Sequence, residues 1–138
     1  FQALSKFDIT IPQYSPHIIV MGYGTNDVGT GTDSFRNSMT QLLNKAKGTG
    51  AIVIAYSIGY IDTELWHGKG SYLLYNDVLR EICLATGVLL IDIYTFTASN
   101  PSVYLNDGLH LSQEGANVLA GLIFNTLSSY LDADGERK

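Results

Sequence analysis

One cysteine in 138 residues leaves this sequence without an internal disulfide and without a cysteine-rich metal site. Cys83 falls in a helical apolar pattern and reads as a buried structural thiol. Basic residues are also few, and the net charge is −5. They are scattered apart from the pairs Lys45/Lys47 and Arg137/Lys138, which argues against nucleic acid as a partner, because phosphate binding needs clustered Lys and Arg. No apolar run reaches the roughly 18 residues of a membrane span. No signal peptide is legible, yet the chain opens at Phe1 rather than methionine. That start is expected to be a processed or cut end, so localisation cannot be read from it. Charged residues make up only 15% of the chain and hydrophobic ones 46%, which excludes a disordered or solvated chain.

The residues that are present build a core. A chain near 150 residues hides roughly 68–70% of its unfolded surface, so residues 1–138 are expected to form a single domain with a fraying polar tail at 132–138. Three short runs, His17-Ile-Ile-Val-Met-Gly22, Ala51-Ile-Val-Ile-Ala-Tyr56 and Val88-Leu-Leu-Ile-Asp92, are apolar without polar alternation. Such runs suit strands buried on both faces of a parallel sheet. Helical patterns separate and follow them. Asp33 is expected to cap a helix carrying Phe35, Met39, Leu42, Leu43 and Ala46 on one face, ended by Gly48 and Gly50. Ser71 caps a second, with Tyr75, Val78, Leu79 and Ile82 inward and Gly87 at its end. Ser112 opens a third, with Leu119, Leu122, Ile123, Leu127 and Tyr130 inward. Residues 1–15 read as a helix end followed by an extended piece. Strands alternating with helices mean βαβ crossovers and a parallel sheet. Function then belongs in the loops at the strands' carboxyl ends, residues 23–32, 57–70 and 93–111.

The first of these loops reads Gly22-Tyr23-Gly24-Thr25-Asn26-Asp27. A glycine-rich turn after a buried strand can aim the Asn26 amide N–H into a cleft, as an oxyanion requires; the same residues also make ordinary turns. The third ends Asn106-Asp107-Gly108-Leu109-His110-Leu111-Ser112. Asp107, three residues ahead of His110, can accept from imidazole Nδ1–H and leave Nε2 as a base. An Asp turn beside a solvated histidine is the alternative.

Taken together, Gly-x-Asn-Asp after one strand and Asp-x-x-His about eighty residues later, before a terminal helix, resemble the third and fifth blocks of the SGNH (GDSL-type) hydrolases. The resemblance runs from about Pro16 to Leu131. It implies a three-layer flavodoxin-like α/β fold of sheet order 2-1-3-4-5, of which this chain supplies strands three to five. It further implies a serine esterase in which Asn26 binds the oxyanion, His110 is the general base and Asp107 orients it. An ester substrate is implied, no metal or organic cofactor is, and an extracytoplasmic setting is weakly favoured.

Several features depart from the family pattern. The family's nucleophile sits in Gly-Asp-Ser and a second-block glycine adds an oxyanion N–H; neither occurs, and neither does Gly-x-Ser-x-Gly. His17 stands where the family usually has Asp. Ser57 follows the wrong strand for a nucleophile. The domain is therefore expected to be N-terminally incomplete and inactive alone. Its serine would come from a complementary N-terminal segment, or the chain would pair with another copy through the strand His17 to Gly22, or residues 1–15 would cover that edge. A catalytically inactive relative that binds carbohydrate or protein is the rival reading. Gly68-Lys69-Gly70-Ser71 lacks the spacing of a phosphate loop. Asp92, with Asp27 and Asp107, could be read as a metal ligand, but strand-end carboxylates commonly cap loops. Trp66 and His67 either border an acyl pocket or are incidental.

Overall fold

The computed structural model describes residues 2–131; the polar tail read at 132–138 lies outside them. The chain runs α1 (Gln2–Thr10), a 3-10 turn (Pro12–Tyr14), β1 (Ile18–Met21), α2 (Thr32–Gly48), β2 (Ile52–Tyr56) and a second 3-10 turn (His67–Lys69). It continues through α3 (Tyr72–Thr86), β3 (Leu89–Ile91), α4 (Ile93–Ser99), α5 (Pro101–Tyr104) and α6 (Gln113–Tyr130). The strands are parallel in the order β1-β2-β3, with Ile18 opposite Ile52 and Ile54 opposite Leu89.

Helices cover both faces, giving the three-layer α/β arrangement expected from the alternating pattern. On one face, Phe35, Met39, Leu42 and Leu43 of α2 and Tyr75, Leu79 and Ile82 of α3 pack on Ile19, Met21, Val53 and Ala55. Leu43 and Met39 are wholly buried, and each such side chain contributes about 1.5–3 kcal/mol through removal from water. On the other face, Leu119, Leu122, Ile123 and Leu127 of α6 cover Ile52, Ile54 and Ile91. Tyr130, expected to point inward, is 36% exposed at the end of α6.

The expectation of strands buried on both faces holds for β2 and fails for β1. Ile18 and Val20 share the α6 side of the sheet with Ile52 and Ile54, yet they are 41% and 40% exposed. α6 packs on Ile52, Ile54 and Ile91 of β2 and β3. Residues 1–15 do not act as a makeshift strand over this edge either, because Gln2–Thr10 is helix and Pro12–Tyr14 a 3-10 turn.

Helix ends differ in instructive ways. Asp33 lies in the first turn of α2, where its charge suits the helix dipole, but the cap position is Gly31 at φ 94°. Just before the helix, the Tyr75 hydroxyl accepts from the N–H groups of Gly29 and Gly31, both at 3.0 Å, and so holds the approach to α2. Ser71 occupies the cap position of α3 without a side-chain bond. Gly87 ends α3 in the left-handed region, and the Ser112 hydroxyl caps α6 by accepting from Gly115 N–H at 3.1 Å. Residues 93–111, expected as loop, contain α4 and α5. Asp92 caps α4 by accepting from the N–H and hydroxyl of Thr95, which accounts for that carboxylate without a metal.

Candidate active site

The loop after β1 winds around its own glycine. The Gly24 carbonyl accepts from Asp27 N–H at 2.8 Å and Val28 N–H at 3.0 Å, and buried Val28 pins the turn to the core. Gly24 is at φ +125°, and a Cβ there would approach Ile58 Cδ1 to 2.9 Å; only glycine suits this position. Asn26 is left exposed at the crest. Burial raises the Asp27 carboxyl above its ordinary range, with the Lys69 charge among the opposing influences. Both facts suit a residue that shapes the turn.

The loop before α6 is closed by an antiparallel bridge between Leu105 and Leu111. Asn106 N–H donates to the His110 carbonyl at 2.9 Å, and the Asn106 side chain donates to the Leu111 carbonyl at 3.1 Å. Inside this clamp, Asp107 Oδ1 accepts from Leu109 N–H at 3.1 Å and His110 N–H at 2.8 Å. Oδ2 lies 2.8 Å from His110 Nδ1. An ionised carboxylate only accepts, so the proton sits on Nδ1 and Nε2 is the basic nitrogen.

The backbone N–H of His110, then its imidazole, hold the Asp107 carboxyl down at about 2. A depressed carboxylate pKa means that the contact is complete above the ordinary value of 3.8 and is lost as pH falls through about 2. Both side chains are largely solvent-facing, so the effect on global stability is small. A carboxyl-carbon NMR titration should put the Asp107 midpoint near 2. A midpoint at or above 3.8 would mean that these bonds do not form in solution.

Asn26 and His110 line one cleft of about 250 Å³ at the carboxyl end of the sheet, together with Tyr23, Tyr56, Ser57 and Ile58. The larger cavity, about 880 Å³, lies at the strands' amino ends beside His17, Lys45 and Thr49, away from these residues. Ser57 is buried; its hydroxyl donates to Asp92 at 3.4 Å and accepts from Tyr94 N–H at 3.2 Å. These bonds tie strand β2 to the start of α4. Trp66 turns out to lie against the loop of Asp107 and His110: its indole N–H donates to the Asp107 carbonyl at 3.0 Å. Its ring stands edge-on to that of His110, with centroids 5.8 Å apart. Sequence reading noticed Trp66 but gave it no partner.

A sequence model of the GDSL-like lipase/acylhydrolase family matches residues 1–118. The chain belongs to that family. No curated protein matches it, but solved structures with the same fold do. A lipase/acylhydrolase from Enterococcus faecalis is 22% identical with a TM-score of 0.80, over 91% of this chain and 68% of that one. A GDSL-like lipase from Bacteroides thetaiotaomicron is 23% identical at 0.80, over 94% and 71%. A catalytic mutant of an acetylxylan esterase from Geobacillus stearothermophilus is 17% identical at 0.76, over 90% and 65%. These likenesses show the fold, a flavodoxin-like α/β architecture of which the GDSL chain described here forms a part. The chain spans about two-thirds to seven-tenths of those neighbours' lengths.

Proposed function

We propose that this chain carries the base and oxyanion half of a serine esterase site and acts on a carboxylic ester, with the nucleophilic serine supplied by a segment outside these residues. The observation that carries the reading is the His110 Nδ1 to Asp107 pair at 2.8 Å, in a loop that shares its cleft with Asn26. A serine Oγ attacks the ester carbonyl as His110 Nε2 takes its proton. The Asn26 side-chain N–H, with backbone N–H groups, binds the oxyanion. Collapse breaks the C–O bond and the alcohol leaves with the proton from His110. Water, activated by the same imidazole, then releases the acid. Family membership supports the ester, as do solved neighbours named as a lipase/acylhydrolase and an acetyl xylan esterase. The substrate is an acyl or acetyl ester of a lipid, glycan or small molecule.

The test is a comparison of the 138-residue chain with a serine-containing form of the protein. Alone, the chain should not hydrolyse a short-chain chromogenic ester and should not react with a serine-directed phosphonate. The serine-containing form should do both, with the label on a serine outside this sequence. A label on Ser57 would overturn the assignment of the nucleophile. Full ester turnover in both Asn26→Ala and His110→Ala would overturn the site.

A further inference from the structure

The segment between β2 and α3 touches both candidate catalytic loops. Its first part is wound by its own bonds: Trp66 N–H donates to the Asp62 carbonyl at 2.9 Å, and Glu64 N–H to the Asp62 carboxylate at 3.0 Å. From this turn, Asp62 N–H donates to the Gly108 carbonyl at 2.8 Å and the Trp66 indole to the Asp107 carbonyl at 3.0 Å. The fit is close, since a Cβ on Gly108 would come within 2.7 Å of Asp62 Cβ. The 3-10 turn that follows ends in Lys69. Its ammonium crosses to the other loop and donates to the Thr25 carbonyl at 2.7 Å, one residue from Asn26. Asn26 and His110 stand exposed on separate loops, and this segment is held to both.

Resting on the site reading above, we propose that residues 62–69 form a brace that sets the spacing between Asn26 and His110, with Trp66 and Lys69 as positioning residues at its two ends. An oxyanion donor and a general base must meet one reacting carbonyl, and a displacement of about 1 Å can cost roughly 100-fold in rate. Neither Trp66 nor Lys69 touches substrate in this scheme. Lys69 holds the peptide carbonyl next to Asn26, and Trp66 holds that of Asp107, whose carboxylate binds the His110 ring.

The experiment uses the serine-containing form of the protein and two conservative removals. Trp66→Phe keeps the ring and deletes the N–H donor; Lys69→Met keeps the stem and deletes the ammonium. Each should lower kcat by roughly 10- to 100-fold with KM changed less than about twofold, and Lys69→Arg should recover most of the rate. If Trp66→Phe fails to fold, Lys69→Met with its arginine rescue carries the test. A second readout needs no turnover. The indole N–H resonance that vanishes in Trp66→Phe should shift in His110→Gln, which removes the ring standing edge-on to the indole. His67→Gln, altering the adjacent histidine, should leave it in place. Unchanged kcat in both positioning variants, while Asn26→Ala and His110→Ala are crippled, would overturn the brace alone, as would an indole signal indifferent to His110. Full activity in Asn26→Ala and His110→Ala would remove the site reading and the brace with it.

Discussion

Asn26→Ala is expected to slow ester turnover by roughly 10²–10³, about 2.7–4 kcal/mol of transition-state stabilisation, in the serine-containing protein. Thermal stability should hardly change, because the Asn26 side chain is exposed on a turn anchored by Gly24 and Val28. His110→Ala should cost at least as much, since it removes the base proposed to take the serine proton. Adding Asp107→Ala to His110→Ala should then cost little more. The Asp107 carboxylate spends its oxygens on the backbone and ring of His110, and members of such a unit are far from additive. Steady-state kinetics of the single and double variants decide the point. Losses that multiply would mean that Asp107 acts on something other than His110.

The residues of the candidate site were legible in the sequence because their hydrogen-bond partners are local. Asp107 and His110 are three residues apart, and the loop that joins them needs a glycine with positive φ, which Gly108 supplies at 77°. The Asn26 turn likewise draws its bonds from Gly24 and Asp27. What escaped detection is held by distant contacts. The Trp66 bond to Asp107 and the Lys69 bond to Thr25 span 41 and 44 residues. Neither side chain sits in a periodic pattern that would announce a partner.

The fold shows the same division. β2 was readable because every position from Ile52 to Ala55 is buried and apolar, the pattern of a strand covered on both sides. α4 was missed because Ile93-Tyr-Thr-Phe-Thr-Ala-Ser is β-branched and aromatic, a composition with weak helix preference. Its start signal was nevertheless present in the Asp92 cap, and that of α5 in Pro101 at the first turn. The Asp33 cap failed because α2 begins at Thr32, which puts Asp33 inside the first turn and Gly31 at the cap position. Two glycines with positive φ, at 100° and 94°, shape residues 29–31, where the Gly29 and Gly31 N–H groups donate to the Tyr75 hydroxyl.

A second large effect is expected at the edge of the sheet. Among the described residues β1 pairs with β2 alone, and its four residues, Ile18-Ile-Val-Met21, bear no charge to discourage pairing. Exposed Ile18 and Val20 add apolar surface to the row of N–H and C=O groups such an edge presents. Tyr23, two residues past the end of β1, is 39% exposed. A groove of about 270 Å³ runs between α1 and β1, lined by Phe7, Ile11, Ile19 and Met21 among others. With residues 2–10 in a helix, two of the three expected coverings for this edge remain: a complementary N-terminal segment or a second copy of the chain. Sedimentation of the 138-residue chain should therefore reveal self-association, and addition of the serine-bearing segment should replace it with a defined heterodimer. Saturating that segment at about 100 times its Kd should stabilise the fold by roughly 2.7 kcal/mol, by mass action alone. Amide exchange across Ile18–Met21 should slow with it, while exchange in β2, already paired on both sides, should change far less. A stable monomer that takes up no segment and exchanges quickly across Ile18–Met21 would mean that β1 is a true edge, and that the serine must reach His110 by some route other than the neighbouring strand.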